Sequence, residues 1–465
     1  MSIIKSTIKN TKTFQKFRNS SHYETFVKIK YHNKARKLIN SLKTYLIYKI
    51  ILPKTYNKYS KKEINSNKVI FLEMRYDKIS NSFHNIFNQL YINYDFDLNI
   101  HYLQNNHPSK LKKYINAKNF IKEYATAKYV FLAEASREVS CVNKRSETTV
   151  IQLWHGCGAF KKFGMSTADL LFGSNRKVQK KYPFYKNFDL VQVSSKEVIW
   201  AYKEAMSIKE NNIINPIGVS RTDIFFDKTF IKTAKDKIIK LFPNCENKKI
   251  ILYAPTFRGR VLNGKISDCF DVSRFKKELG EQYVLIMKYH PLIKNRPVIS
   301  EENKDFAIDL SDNTSIEELM CVSDICISDY SSLIFEYSLF ERPLIFYAYD
   351  IDEYHDWRGF YYDYDEMTPG PICKTNDEML SYIKNIENEF DKQKVIDFKN
   401  KFMNACDGNS TKRVLEFTFK DELIKHKRPV SLPKRDYHLI PSSNDKTYNA
   451  SQILNKHTQN FDNLD

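Results

Sequence analysis

Val150-Ile151-Gln152-Leu153-Trp154-His155-Gly156-Cys157-Gly158-Ala159 is an apolar run that passes directly into a turn built from a histidine and two glycines. The run reads as a strand, and the turn as His-Gly-x-Gly followed by the basic residue Lys161. The same rhythm continues in both directions. Val69–Met74, Tyr129–Ala135, Leu190–Val193, Ile213–Ile217, Ile250–Tyr253, Val284–Met287, Ile325–Ser328 and Leu344–Tyr347 are short apolar runs, the last directly after Pro343. Helix-sized stretches separate them, so the spacing predicts an α/β chain of parallel sheets covered by helices. A boundary near residues 215–248 divides the body into halves at 69–215 and 216–420, with a cleft between them. A chain of 465 residues is long enough for two or three domains, and no internal repeat or low-complexity tract appears.

Composition narrows the partners. With 42% hydrophobic and 14% aromatic residues the chain can bury sizeable cores, which excludes a disordered protein. The formal charge of +19 calls for an anionic partner. That charge is concentrated: residues 1–68 hold 17 Lys and Arg against only Glu24 and Glu63. Leu38, Ile39, Leu42, Tyr45 and Leu46 recur there at helical spacing among Lys34, Arg36, Lys37 and Lys43. The segment reads as a basic amphipathic arm suited to an anionic membrane surface. The alternative is a helix packed on the body with a solvated basic face.

The apolar stretch from Leu38 to Leu52 is broken by Asn40, Lys43 and Lys49, and the opening MSIIKSTIKN lacks a signal-like apolar run. The expectation is a cytoplasmic protein, peripheral on the inner face of the cell membrane. Eight scattered cysteines form no C-x-x-C pair and no zinc-finger spacing, which predicts reduced thiols and no metal site. Residues 421–465 are polar and read as a tail.

Several of the apolar runs end in turns rich in polar residues, glycine or proline. In open α/β sheets, ligands bind beyond the carboxyl ends of the strands. His155 is placed to exchange a proton near neutral pH, beside glycines that let a backbone approach a phosphate. Met287-Lys288-Tyr289-His290-Pro291 puts a second histidine at a strand end in the other half. Ile327-Ser328-Asp329-Tyr330-Ser331-Ser332-Leu333-Ile334-Phe335-Glu336 runs from strand to polar turn to helix. Ser331 and Ser332 at that helix start suit a pyrophosphate, and Glu336 one turn on suits a ribose diol. The plainer alternative is a serine cap followed by a solvated glutamate. Tyr253-Ala254-Pro255-Thr256-Phe257-Arg258 and Gly218-Val219-Ser220-Arg221 add arginines, which match phosphate in geometry as well as charge.

In combination and in this order, WHG followed by Lys161, G-x-S-R-x-D at Gly218–Asp223, YAPTFR, K-x-HP and DYSS-x-x-x-E resemble the CDP-glycerol glycerophosphotransferase family, which includes the teichoic-acid polymerases and related capsule polymerases of bacteria. The resemblance runs from about Val150 to Thr411. It implies a GT-B fold, two Rossmann-like domains facing a cleft, with the nucleotide held mainly by the C-terminal one. It implies essential histidines at His155 and His290. Its donor-binding positions fall on His155, Gly156, Cys157, Gly158, Ala159, Arg221, Pro255, Thr256, Lys288, Tyr289, His290, Ser331, Ser332 and Glu336.

The reaction implied is attack by a terminal hydroxyl of a teichoic-acid-like or capsular polymer on the β-phosphorus of CDP-glycerol or another CDP-polyol, releasing CMP. The acceptor would be lipid-linked or oligomeric, and no tightly bound cofactor or metal is implied. His155, on the acceptor side, is assigned as base. His290 is assigned to the donor phosphate with Arg221 and the Ser331–Ser332 turn. A GT-B glycosyltransferase using a nucleotide sugar is the alternative within the same fold. A nucleic-acid-binding protein is the alternative from another class. It is disfavoured because no DNA- or RNA-binding motif appears and the positive charge lies outside the body.

Overall fold

The computed structural model describes residues 37–104, 108–170, 175–258, 269–290, 293, 295–351, 359–428 and the backbone of 438–440. The first 36 residues of the basic arm and most of the polar tail fall outside them.

The first half is a parallel sheet built from β1 (Asn65–Glu73), β2 (Asp97–Tyr102), β3 (Ala127–Leu132), β4 (Thr149–Gln152), β5 (Leu190–Gln192) and β6 (Ile214–Asn215). The strand order is β2-β1-β3-β4-β5-β6, and His438–Ile440 extends the sheet alongside β2, also parallel. The second half holds β7 (Lys249–Tyr253), β8 (Tyr283–Met287), β9 (Ala307–Asp309), β10 (Ile325–Ser328), β11 (Leu344–Tyr347) and β12 (Ile372–Cys373). They pair in parallel in the order β12-β11-β10-β7-β8-β9. Every residue of β5, β8, β10 and β11 is buried, as expected of parallel strands covered on both faces. Each sheet reverses its winding once, at β1/β3 and at β7/β10, which is where open α/β sheets bind ligands. The two Rossmann-like sheets with joined helical layers form the GT-B arrangement.

One apolar core runs through both halves, from Leu72 and Trp154 to Leu319 and Phe335. Separate clusters cover the outer face of the first sheet, around Phe71 and Phe131, and that of the second, around Tyr253 and Phe275. The helix Ser410–Phe419, grouped by sequence with the second half, lays Val414, Leu415 and Phe419 on the outer face of the first sheet. The described residues therefore begin and end on the first half.

The arm is partly body. Residues 37–45 are helical, Leu46–Ile51 forms a π-turn and Leu52–Tyr59 continues as α-helix. Pro53 has no N–H to give to the preceding turn and would crowd its carbonyls; the wider π-turn relieves this. Leu52 and Tyr56 are buried, and the Tyr56 hydroxyl accepts from the backbone N–H of Arg145 at 3.0 Å. The folded body thus starts well before Val69. Towards its N-terminus the helix turns apolar side chains outward: Leu38 is 72% exposed and Leu42 57%. Among the described residues no helix is long and apolar enough to cross a membrane.

Candidate active site

At the carboxyl end of β1, the buried Glu73 accepts from the backbone N–H groups of Arg75, Tyr76 and Ser80, at 2.8, 3.2 and 3.2 Å. That folds the loop back and sets Arg75 beside the end of β3. There Glu134 meets Arg75 Nη2 at 3.0 Å. From the end of β4, Gln152 pins the histidine turn. Its Oε1 accepts from the Trp154 N–H at 2.9 Å, and its Nε2 donates to the Glu134 carbonyl at 3.1 Å. Trp154 takes a left-handed conformation, φ 58°, which turns the chain sharply. His155 follows, with Nδ1 3.1 Å from Glu134 Oε1 and 3.3 Å from the Ala133 carbonyl. Burial pushes the Glu134 carboxyl up to about 7 against the pull of Arg75, and Glu73 adds to the rise.

Gly158 holds the rest of the turn. Its φ is 63°, and a Cβ there would sit 2.4 Å from the Phe335 ring of the second half. Only glycine permits both the conformation and the approach. A neighbouring pairing also joins the halves: Lys162 N–H donates to the Gly359 carbonyl at 3.1 Å, and Tyr361 N–H to the Phe160 carbonyl at 2.9 Å.

On the second sheet the switch-point turns are locked together by Asp329. Its carboxylate accepts from the Thr256 N–H at 2.9 Å, the Thr256 hydroxyl at 3.0 Å and Arg258 Nη1 at 2.8 Å. Arg258 in turn forks onto Asp350 beyond β11, at 2.5 and 2.9 Å, while the Tyr330 hydroxyl donates to Asp350 at 3.0 Å. His290, at the end of β8, packs its ring 4.9 Å from that of Phe257 and keeps an exposed edge. Partial loss of water, then the positive charges of Lys161 and Arg75, push it down to about 4. The positive charges of the first half therefore act on the histidine of the second.

The structure brings His155, Gly156, His290, Thr256, Ser331 and Ser332 to the facing strand ends. A Cβ on Gly156 would lie 3.7 Å from Ser332 Oγ, so the two turns line one gap. Other expected positions turn away. The side chains of Cys157, Ala159 and Tyr289 are buried in the cores, and Pro255 is also buried, so a ligand would meet their backbone. Lys288 donates to the carbonyls of Ser311 at 2.8 Å and Thr314 at 2.5 Å, which ties down the loop after β9.

Arg221, just past β6 and packed with the first half although it lies beyond residue 216, and Glu336, both expected on the donor, form a buried ion pair across the halves. Arg221 Nη1 also donates to the His155 carbonyl at 2.9 Å, and Nη2 lies 3.6 Å from Glu317. Burial opposes the arginine's charge, but Glu336 and Glu317 outweigh it and raise its pKa. The sequence offered each residue singly, and only the fold shows that they neutralise one another. The helix after Ser332 is also brief, Leu333–Tyr337, so the turn itself rather than a long helix faces the gap.

Sequence reasoning missed Glu134, Arg75, Asp329 and Asp350 as parts of the site. Glu134 stands as a lone acid in the apolar run Tyr129–Ala135, and Asp329 opens DYSS; these were the available signals. Among the described residues no group of three or more His, Cys, Asp and Glu is arranged to hold a metal ion.

This architecture has known counterparts. Solved structures of the wall teichoic acid polymerase TagF share the fold, with a TM-score of 0.66 at 23% identity over 84% of this chain and 98% of that one. The teichoic acid poly(ribitol-phosphate) polymerase of Bacillus spizizenii is 32% identical over 390 residues, 82% of this chain and 60% of that protein. The teichoic acid ribitol-phosphate primase of the same organism is 37% identical over 295 residues, 63% of this chain and 75% of that protein. The chain thus spans well under the full length of the first of these relatives. A family profile described as CDP-glycerol:poly(glycerophosphate) glycerophosphotransferase matches residues 55–420, most of the chain from the buried end of the arm helix to the helix that closes on the first sheet. By that match, and with the histidine turns His155 and His290 at the facing strand ends, the chain belongs to the CDP-glycerol:poly(glycerophosphate) glycerophosphotransferase family.

Proposed function

We propose that this protein transfers a polyol phosphate, glycerol phosphate or ribitol phosphate, from a CDP-linked donor to the hydroxyl end of a teichoic-acid-like polymer. The observation that carries the reading is the pair of strand-end histidines, one on each half, with the positive charges of Lys161 and Arg75 acting on His290. His155 takes the proton of the acceptor hydroxyl, whose oxygen bonds to the β-phosphorus. The bond from that phosphorus to the bridging oxygen breaks, and CMP leaves with the electron pair. Lys161 and Arg75 offset the charge on the phosphoryl group in flight. His290, held neutral, donates a hydrogen bond to a phosphate oxygen. The Ser331–Ser332 turn and the amides around Thr256 hold the donor at the β7/β10 switch point.

The exposed stripe of Leu38, Ile39, Leu42 and Tyr45, flanked by Lys37 and Lys43, docks on an anionic membrane surface, where a lipid-linked acceptor would lie. On this reading the protein works peripherally on the inner face of the membrane.

Calorimetry with CDP tests the donor site. Changing Ser331→Ala together with Ser332→Ala is expected to weaken CDP binding about tenfold, the loss of one or two hydrogen bonds to a charged group. Unchanged affinity would remove the turn from the site.

A further inference from the structure

Beside His155 stands an acid that the transfer chemistry above does not employ. Glu134 Oε1 is 3.1 Å from Nδ1 of His155, and its carboxylate is 16% exposed while the imidazole is about one-third exposed, at 34%. The second neighbour of Nδ1 is the Ala133 carbonyl at 3.3 Å, which can only accept. With Glu134 ionised, both partners therefore require a hydrogen on Nδ1. In the neutral ring that leaves Nε2 with the lone pair. The carboxylate is itself held: Arg75 Nη2 grips Oε1 at 3.0 Å, and the Gln152 amide fixes the Glu134 backbone carbonyl at 3.1 Å. Three strand ends, those of β1, β3 and β4, thus converge to orient one imidazole.

We infer that Glu134 is a positioning residue that fixes the tautomer of His155 and steadies the imidazolium formed when His155 takes the acceptor proton. The inference rests on the reading of His155 as the base. In that step the hydroxyl proton moves to Nε2, the ring becomes positive, and the anionic carboxylate on Nδ1–H offsets the charge. Nothing else need change protonation. Arg75 serves two ends: it keeps Glu134 in place and lends charge towards His290.

The groups facing Glu134 are Arg75 and Glu73 from β1, His155 from β4 and Tyr185 from the loop before β5. With the carboxyl poised at about 7, acidification below that point protonates it and removes the negative charge beside the ring. Activity should fall on the acid side accordingly.

The test uses the full chain, with steady-state CMP release and ring-nitrogen NMR of His155. Glu134→Gln keeps the shape and removes the charge. It is expected to lower kcat about tenfold or more, leave the donor KM within about twofold, and move the acid limb of the pH profile to lower pH. The ring nitrogens of His155 should titrate at lower pH than in the wild type. Adding Glu134→Gln to His155→Ala should cost nothing further, because the acid acts through that histidine. Glu134→Asp, which restores the charge, should recover part of the rate.

An inactive His155→Ala beside a Glu134→Gln protein with wild-type kcat, pH profile and ring titration would overturn the pairing alone. A double variant slower than His155→Ala by the whole Glu134→Gln factor would overturn it as well. Near-normal turnover in His155→Ala would instead overturn the base assignment on which the inference rests.

Discussion

Arg221 and Glu336 illustrate how two motif residues can be held by each other. Their charges meet in the layer between the two halves, and Arg221 reaches on to the carbonyl of His155. Breaking a buried pair from one side strands the other charge, at a cost of about 3 kcal/mol. Glu336→Ala is therefore expected to lower unfolding free energy by about that amount, while Arg221→Met combined with Glu336→Leu loses much less. Denaturant titration of the three proteins, with CDP calorimetry alongside, separates bridge from ligand contact. A Glu336→Ala protein of wild-type stability but weakened CDP binding would return Glu336 to the donor. His290 behaves differently at this scale. Pushed down to about 4 by desolvation and by Lys161 and Arg75, it stays neutral near pH 7 and is suited to donate a hydrogen bond rather than a charge. It should not set the acid limb of the rate.

Helix 37–59 divides its work along its length. Its end is anchored by Leu52 and Tyr56, the latter edge-on to Tyr124 at 5.2 Å, whereas Leu38, Ile39 and Leu42 point away from the protein. Changing those three to serine in the full chain is expected to reduce co-sedimentation with phosphatidylglycerol vesicles several-fold while CDP binding persists. High salt should weaken what remains, since the basic residues act electrostatically. Vesicle binding that survives all three changes would move the docking surface elsewhere. The elements were unevenly legible. Runs such as Ile250–Tyr253 and Leu344–Tyr347 became strands because both faces are covered and every residue is apolar. The strand Asp97–Tyr102 was missed because it carries Asn99 and His101, buried polar residues that hide the apolar signal. Ala307–Asp309 and Ile372–Cys373 are edge strands of three and two residues, too short to show a period. The turns of the site were readable because strand, glycine and histidine fall together in sequence. The partners Glu134 and Asp350 were not, because only the parallel order of the sheets sets them beside His155 and Arg258.

At the scale of the whole molecule, two parallel sheets present their switch points to one gap, and the histidines proposed as catalytic are split between them. Neither half holds both histidines, so the proposed chemistry requires the halves to stay in register. The Gly158–Phe335 approach, the Arg221–Glu336 pair and the pairing of residues 160–162 with 359–361 all serve that register. The net charge of +19 is consistent with a phosphate-rich donor, acceptor and surface. The decisive measurement is CMP release by the full chain from CDP-glycerol and from CDP-ribitol, each with and without a lipid-linked polyol-phosphate acceptor, with the product sized. The prediction is acceptor-dependent CMP release from at least one donor, with the acceptor lengthened, and a rate about 10²-fold lower in both His155→Ala and His290→Ala. No CMP from either donor, together with transfer of a sugar from a nucleotide sugar, would contradict it.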